Sequence, residues 1–291
     1  MFKGDARNWR IHLSAAAVLI PDIKREERAA EFANLSSEYQ SALFFFSGVI
    51  GWYDILSCST TGRPPFSNCE CINTALGYVF LDKLMGCENW AMLVIMDIAF
   101  LDNWKQKLQI SARLSMRELV TRATHIERRL EDGIRDIPSR LRQLTNHSTP
   151  SILDTGVQEP SRLILLITRI FACSALVYLD IVVSGAYPEM PEIRQNVSRT
   201  IDALRALPEI AIINSLTWAY CIAGCMAIEE EQTFFKGLAV SNGGDAPTFG
   251  NSSKALAIME ECWRLRREEK QHQPVDWRTA MNSLGVNVLL V

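Results

Sequence analysis

The chain has 291 residues, of which 48% are hydrophobic and 22% are charged, and its formal net charge at pH 7 is -3. This composition supplies enough apolar material for one large domain or two ordinary ones. The small net charge gives no electrostatic reason to expect that the chain as a whole binds nucleic acid or a membrane surface.

Cysteines are scattered along the chain, and several lie in apolar runs. We predict buried, reduced thiols rather than a disulfide scaffold, because the spacing is irregular. The eight positions are Cys58, Cys69, Cys71, Cys87, Cys173, Cys221, Cys225 and Cys262. The first residues, MFKGDARNWRIHL, have no apolar segment after their basic residues, so no secretory signal is expected.

Two apolar runs are long enough to be considered as membrane spans. The first, at 42–57, is interrupted by Asp54, and the second, at 163–187, contains Arg169 and Asp180. Neither offers the roughly 20 uninterrupted apolar residues that a span needs. We therefore predict that both are buried core helices and that the chain has no membrane segment.

Helical periodicity dominates the rest of the chain. Apolar residues recur every three or four positions in three segments. They are Leu119, Ile126, Leu130 and Ile134; then Ile193, Val197, Ile201 and Leu204; and finally Leu256, Met259 and Trp263. Ser115 and Glu118 form a candidate capping box before the first, Pro191 suits the first turn of the second, and Pro208 ends it.

No strand alternation or hairpin signal is visible. Polar breaks fall at 59–68, 143–160 and 241–250, and the second and third are the best candidates for surface loops. The sequence thus predicts an all-α protein, a large bundle or irregular array of about eight to eleven helices in antiparallel pairs, folded as one domain over 1–291.

The segment 220–235, YCIAGCMAIEEEQTFF, carries the most suggestive chemistry. On one helix, Cys221, Cys225 and Glu229 would share a stripe, but structural zinc uses close cysteine pairs with a fourth ligand, and no Cys-x2-Cys pair exists here. Glu229, Glu230 and Glu231 would point about 100° apart, so they would not converge as catalytic carboxylates. We predict a buried helix whose end reaches solvent at the glutamates, with no metal and no catalytic residue.

The histidines and the known enzyme motifs also predict no functional site. His12 lies on a largely apolar segment and is predicted to be a hydrogen-bonded core residue, while His125, in HIE, lacks the paired cysteines of a deaminase. The chain has no nucleophile elbow, P-loop, dinucleotide fingerprint or zincin motif, so no catalytic or cofactor-binding residues are predicted and no cofactor is expected.

One segment, 105–142, has a marked excess of basic residues. Ten basic residues face five acidic ones, and Glu127, Glu131 and Asp132 stand at pairing distance from arginines. The segment is either a weak phosphate-binding strip or an ion-paired, solvated helix face, and the pairing favours the second. The ten are Lys105, Lys107, Arg113, Arg117, Arg122, Arg128, Arg129, Arg135, Arg140 and Arg142.

Six phrases, in order, resemble the fungal-specific transcription factor domain. They are FFFSGVIGWYDILSCSTTGRPPF (44–66), GCENWAMLVIMDIAFLDNWK (86–105), LSMRELVTRATHIERRL (114–130), LITRIFACSALVYLDIVVSGAYPEMPEI (166–193), LTWAYCIAGCMAIEEEQTFF (216–235) and ALAIMEECWRLR with DWRTAMNSLGVNVLLV (255–291). The resemblance runs from about Trp9 to the last residue. It implies the helical regulatory region of zinc-binuclear-cluster regulators, in which 218–235 is a core helix with an acidic end.

The six-cysteine zinc cluster and basic linker that precede this region in the family are absent from the chain. Zinc is therefore not transferred to it, and DNA binding is expected only indirectly. The chain is then a domain of a longer protein, a truncated product or a paralogue without its DNA reader.

The resemblance implies a regulatory domain of a nuclear regulator of metabolic or secondary-metabolite genes. It would act through the transcription machinery, a full-length regulator or a small effector, and homodimerisation is left open. The effector residues are unknown; aromatic candidates, each expected more often in the core, are Trp52, Tyr53, Trp90, Trp218 and Trp263. The alternatives are a helical biosynthetic protein that binds or converts a hydrophobic metabolite, as a cyclase or isomerase would, and a dominant-negative partner of full-length regulators.

Overall fold

A computed structural model describes residues 9–23, 36–66, 81–146, 155–208, 215–241, 251–268 and 273–291. These residues contain eleven α-helices and no strand, which confirms the predicted all-α class. The helices are α1 Trp9–Ile23, α2 Ser37–Thr61, α3 Leu81–Met85, α4 Asn89–Ile110, α5 Met116–Asn146, α6 Thr155–Ser184, α7 Pro191–Arg205, α8 Thr217–Cys225, α9 Glu229–Ser241, α10 Asn251–Glu268 and α11 Trp277–Leu284.

The long helix α6 is the centre of the fold. It packs against α4, α5, α7 and α8, and its residues from 170 to 179 are all buried. Its segment Pro160–Ser184 is long and apolar enough to cross a bilayer, but 83% of the most apolar window is covered by the rest of the protein. A helix that is apolar on all sides and enclosed by other helices is a core helix, as predicted.

The other apolar run behaves differently along its length. In the second half of α2, Trp52, Ile55 and Leu56 are buried, as expected of a core helix. In the first half, Phe45 is 48% exposed and Phe46 is 56% exposed. The prediction of a buried helix is therefore wrong for the first half of α2, because only its second half packs under the surrounding helices.

The amphipathic predictions for α5 and α7 are confirmed. Their predicted apolar stripes are buried: Leu119, Ile126, Leu130, Ile134, Ile193, Val197, Ile201 and Leu204. Helix α7 begins at Pro191, whose missing N–H has no partner to lose in a first turn. In α10, Met259 and Trp263 are buried, whereas Leu256 is half-buried.

The predicted capping box at the start of α5 is only half formed. The Ser115 hydroxyl accepts a hydrogen bond from the Glu118 N–H at 3.3 Å. The Glu118 carboxylate turns the other way and pairs with Arg122 at 2.7 Å. The guanidinium provides a charged partner for this carboxylate, so the reciprocal bond to the Ser115 N–H is not made.

Helices extend into the predicted loops from both sides. Helix α2 continues to Thr61 and ends on Gly62, which has a left-handed φ of 68°. Helix α5 continues to Asn146 and α6 begins at Thr155, while residues 147–154 and 242–250 lie outside the described residues. Buried side chains from every described helix except α1 form one connected core, and the single-domain organisation of 1–291 stays a prediction.

Candidate functional site

The cysteine–glutamate segment forms two helices rather than one. Helix α8 ends at Cys225, a turn follows through Ile228, and α9 begins at Glu229, whose φ is 43°. The prediction of a continuous helix is wrong because Met226 and Ala227 are buried in the break, and the Arg266 guanidinium of α10 binds the Cys225 carbonyl there.

The glutamates of this segment lie in the first turn of α9 and stabilise the start of that helix. Glu229 and Glu230 are exposed, so their predicted solvation is confirmed. The Glu231 carboxylate accepts a hydrogen bond from the Ile228 N–H at 3.1 Å. Three negative charges in a first turn also stabilise the positive end of the helix dipole, so they are explained without catalysis.

The thiols are buried and reduced, as predicted for the six cysteines in the described part of the chain. The sulfur atoms of Cys221 and Cys225 lie 3.9 Å apart, and the Cys262 thiol lies 3.3 Å from the Asp276 carbonyl. Burial raises the pKa of Cys225 and Cys262 well above the ordinary value, which disfavours the thiolate that binds metals or attacks substrates. No cluster of three metal-ligating side chains with suitable geometry occurs within the described ranges.

The histidines do not form a site. His125 lies on the exposed side of α5, and His12 is also exposed, on α1. The prediction of His12 as a core residue is therefore wrong. The apolar residues around it pack through Leu13 and Ala17, whose side chains point to a different side of the helix.

The ion-paired interpretation of the basic segment holds for four arginines of α5. Arg122 pairs with Glu118, Arg129 with Asp97, and Arg135 with Asp132. Arg140 pairs with Glu88 at 2.5 Å. Lys105 is half-buried and donates to the Val182 carbonyl of α6. These cations are neutralised within the fold and are not available for a phosphate strip.

The aromatic candidates separate into core and surface residues. Trp52, Trp218 and Trp263 are buried, with exposed fractions of 4%, 0% and 2%. The Trp263 indole donates to the Gly224 carbonyl at 2.9 Å, so it holds α10 against α8. Tyr53 and Trp90 are half-buried, and Trp90 borders an open groove.

This groove lies between α4 and α5 and has a cavity volume of about 390 Å³. The residues that line it are Trp90, Val94, Arg129, Asp132, Gly133, Asp136 and Arg140. Trp90 and Val94 supply the apolar side chains of this lining and four of the other residues are charged, so the groove is more polar than most small-ligand sites.

Glycine makes the groove possible. A Cβ at Gly133 would lie 2.3 Å from Cη2 of Trp90, so only glycine lets the indole lie against the backbone of α5. The indole N–H donates to Glu88 at 2.8 Å, and Arg140 binds both oxygens of the same carboxylate. Burial alone would raise the pKa of Glu88, but the hydrogen bonds from Arg140 and Trp90 outweigh it and lower the pKa. The Trp90 ring is thereby held at a fixed position.

A second polar network joins α5, α6 and α7. Arg199 binds both oxygens of Glu131, at 2.6 and 2.9 Å, and donates to the Asn196 amide oxygen at 3.1 Å. The Asn196 amide donates in turn to Asp180 at 2.7 Å. Burial is the main cause that raises the pKa of Asp180 to about 6, and the negative charge of Glu127 adds to it.

A third network fixes the C-terminal helix. Arg278 donates to Asp102 of α4 at 2.7 Å and to the Ser59 carbonyl at 2.9 Å. The neighbouring Trp277 indole donates to the Thr60 carbonyl at 2.9 Å. Both carbonyls belong to the last turn of α2, which has no helical N–H left to bind them, so α11 completes the end of α2. No motif or spacing in the sequence predicted this network.

These features define an all-α domain with an interhelical groove, held together by a connected apolar core and by polar networks between its helices. The model of the fungal specific transcription factor domain matches residues 1–291, and the chain belongs to this family.

Three relatives that are named as transcription regulators or factors are similar along most of the chain. A trichothecene biosynthesis transcription regulator of Trichoderma arundinaceum is 33% identical over 99% of this chain and 69% of its own length. Its counterpart in Fusarium sporotrichioides is 32% identical over 97% of this chain and 68% of its own length. The ustiloxin B cluster transcription factor of Aspergillus flavus is 31% identical over 88% of this chain and 44% of its own length. No solved structure matches the chain.

Proposed function

We propose that this chain is the regulatory domain of a nuclear transcription regulator that controls genes of secondary-metabolite biosynthesis. The observation that carries the proposal is the whole-chain match to the fungal specific transcription factor domain, together with relatives named as regulators of trichothecene biosynthesis. Nuclear localisation follows from the same relationship. The buried thiols and paired arginines have structural explanations and leave the family relationship as the guide to function.

The groove beside Trp90 is where a small effector would bind. It places the Trp90 indole face and the Val94 side chain at an opening rimmed by ion-paired side chains, so a ligand would be held mainly by its apolar part. The hydrogen bond to Glu88 and the close approach to Gly133 hold the indole in place before any ligand arrives, which reduces the ordering cost of binding.

The alternative of a cyclase-like or isomerase-like biosynthetic protein is not supported by the relatives, which are named as transcription regulators. It would also need groups that converge on one substrate atom. The charged groups at the Trp90 groove are instead paired with each other or with Glu88, Asp97 and Arg135.

A tethering experiment tests the proposal. The 291-residue chain is fused to a heterologous DNA-binding domain in a fungal host that carries a reporter with measurable basal expression. A regulatory domain is expected to raise or lower the reporter severalfold, and the DNA-binding domain alone is the control. A folded, nuclear fusion protein that leaves the reporter unchanged would contradict the proposal.

The groove is tested in the same system. Trp90→Ala removes the indole face, and Phe46→Ala removes an exposed aromatic side chain from α2 as the control. If an effector binds beside Trp90, the first substitution changes the reporter response and the second does not. If Trp90→Ala and Phe46→Ala give the same reporter response, the groove is not an effector site, while the proposed regulatory function is unaffected.

A further inference from the structure

The corner between α4 and α5 exposes three large apolar side chains. Ile110 is 89% exposed, Met116 is 57% exposed and Val120 is 50% exposed. Ile110 is the last residue of α4, and Met116 is the first residue of α5. Met116 and Val120 are four residues apart on one helix and therefore lie on the same side of it. We call these three residues, together with the cations described next, the corner surface.

The cations of the corner surface are Lys107, Arg113 and Arg117. All three are exposed, and no carboxylate within the described ranges forms an ion pair with any of them. The stretch from 106 to 117, QKLQISARLSMR, contains no acidic residue. The nearest carboxylate along the chain, that of Glu118, is bound to Arg122.

This arrangement differs from that of the ion-paired arginines of the basic segment. Farther along α5, Arg129, Arg135 and Arg140 each have a carboxylate partner, and those pairs account for the local charge. At the corner, positive charge is left uncompensated beside exposed apolar side chains. Exposure of these apolar side chains to water is energetically unfavourable, and the cations beside them have no ion-pair partner within the described residues.

We propose that the corner surface binds an acidic amphipathic helix of a partner protein. Apolar residues of the partner, spaced three and four apart, would cover Ile110, Met116 and Val120. Carboxylates on the edges of that helix would pair with Lys107, Arg113 and Arg117. Helix-in-groove recognition of this kind combines apolar anchors with complementary charge at the rim.

The two other occupants fit less well. In a symmetric dimer built on this corner, the same three cations of each copy would be brought together, and like charges would repel. A nucleic-acid backbone would satisfy the cations but would leave Ile110 and Val120 without apolar partners, and phosphate contacts alone do not use such side chains.

The inference deepens the proposed function, on which it rests for the kind of partner. It is tested on purified protein without a reporter, so the two can fail separately. A chain that regulates a reporter without binding acidic helices would keep its function and lose this surface. A chain that binds acidic helices without changing the reporter would keep the surface and lose the proposed function.

The experiment measures fluorescence anisotropy of a labelled synthetic helix of about 20 residues, with leucines on one face and glutamates on the rest, titrated with the 291-residue protein. Two comparison peptides replace the leucines by serine or the glutamates by lysine. One variant protein carries Arg113→Glu and Arg117→Glu, and another carries Ile110→Ser and Val120→Ser. The matched control carries Arg128→Glu and Arg142→Glu, which makes the same change in net charge on exposed positions of α5 away from the corner.

The expected result is saturable binding of the acidic leucine peptide only. Affinity should fall about tenfold or more in each corner variant and should change less than about threefold in the control variant. Higher salt should weaken the binding, because exposed charges contribute to it. Circular dichroism and thermal unfolding check that all variants are folded.

Three results would overturn the proposal. The first is the absence of saturable binding by the acidic leucine peptide. The second is an equal loss of affinity in the Arg128→Glu/Arg142→Glu control, which would indicate a diffuse charge effect. The third is evidence for a different occupant of the corner surface. That evidence would be a dimer, detected by sedimentation, that Ile110→Ser/Val120→Ser dissociates, or competition between duplex DNA and the peptide for the corner surface.

Discussion

Arg278 of the last helix and Asp102 of α4 are 176 residues apart in the sequence, yet their side chains meet at 2.7 Å in a largely buried site. The same carboxylate accepts hydrogen bonds from Tyr178 at 3.2 Å and from Gln106 at 2.9 Å. Burial alone would lower the pKa of Arg278, but Tyr178 and Asp102 outweigh it and raise the pKa. The charge of Arg278 is therefore retained in the fold and joins α2, α4, α6 and α11.

Removal of either partner should be costly. Arg278→Met leaves Asp102 with a buried charge and less compensation, and we expect a loss of about 3 kcal/mol in the free energy of unfolding. Asp102→Asn is expected to lose less, because the amide retains hydrogen-bonding capacity. Urea unfolding of both variants and of the double variant measures the coupling between the two side chains.

The control for this cycle is Arg267→Met, which removes an exposed guanidinium from α10. It should change the free energy of unfolding by less than about 0.5 kcal/mol. If the Arg278 and Asp102 substitutions are additive, or if Arg267→Met costs as much, the central role of this ion pair is refuted.

Gly133→Ala should destabilise the protein, although alanine is normally the better helix former by about 1 kcal/mol. The added Cβ would lie 2.3 Å from the Trp90 ring, so the indole must move out of its position. We expect a loss of about 1 to 3 kcal/mol in urea unfolding. In a Trp90→Leu background the clash is relieved, and the same substitution should become neutral or stabilising.

Gly237 of α9 provides the comparison for that test, because an added Cβ there meets no atom within 4 Å. Gly237→Ala should stabilise the protein by about 0.5 to 1 kcal/mol. A destabilisation by Gly133→Ala that persists unchanged in the Trp90→Leu background would show that the contact with Trp90 is not the cause.

The buried carboxyl of Asp180 should make stability fall as the pH rises through the mildly acidic range. Its pKa is about 6 in the native state, mainly through burial, whereas an unfolded aspartate titrates near 4. Between these two values the native state binds more protons than the unfolded state, so the free energy of unfolding decreases as the pH increases. Above about pH 6 the full cost of the buried charge is present.

Asp180→Asn should remove this dependence and stabilise the protein by about 1 to 2 kcal/mol at pH 7.5, relative to its effect at pH 4. The amide can still accept the hydrogen bond from Asn196. Urea unfolding at several pH values measures the difference, and Asp202→Asn, an exposed substitution on α7, is the control. A constant difference between wild type and Asp180→Asn from pH 4 to 7.5 would contradict the assignment.

The buried thiols should resist alkylation in the native protein. Burial raises the pKa of Cys58, Cys87, Cys225 and Cys262, and it raises the pKa of Cys173 to about 11. Since the thiolate is the reactive form, a Cys69→Ser/Cys71→Ser variant should react with iodoacetamide only as fast as it unfolds. Rapid labelling of Cys225 or Cys262 in the folded variant, located by mass spectrometry, would show that these side chains are accessible.

Several elements were predictable because local pattern and final packing agree. The apolar spacing of Ile193, Val197, Ile201 and Leu204 predicted both the helix and its buried face, and Pro191 predicted its start. A stripe of apolar residues on one helical face has only one favourable orientation against a core, so the spacing of these residues predicts which face is buried. Membership of the family was predictable as well, because the resemblance rests on long sequence segments that occur in the family's order.

The break between α8 and α9 was not predictable from local pattern. Residues 220–235 contain no proline that would mark a helix end. At the break, Arg266 of α10 binds the Cys225 carbonyl and the Val275 carbonyl from a distant part of the chain. Tertiary hydrogen bonds thus override local propensity at this point.

The sequence by itself determined the all-α class, the buried faces of the long helices and the family, because these follow from periodicity and from residues that act within one segment. Only the tertiary structure decided which charges meet. The groove at Trp90 needs Gly133 on another helix, and the Arg278–Asp102 pair and the unpaired corner of Arg113 and Arg117 depend on how helices are placed next to each other. Contact between residues far apart in the chain is a property of packing, and one sequence alone does not encode it in a readable pattern.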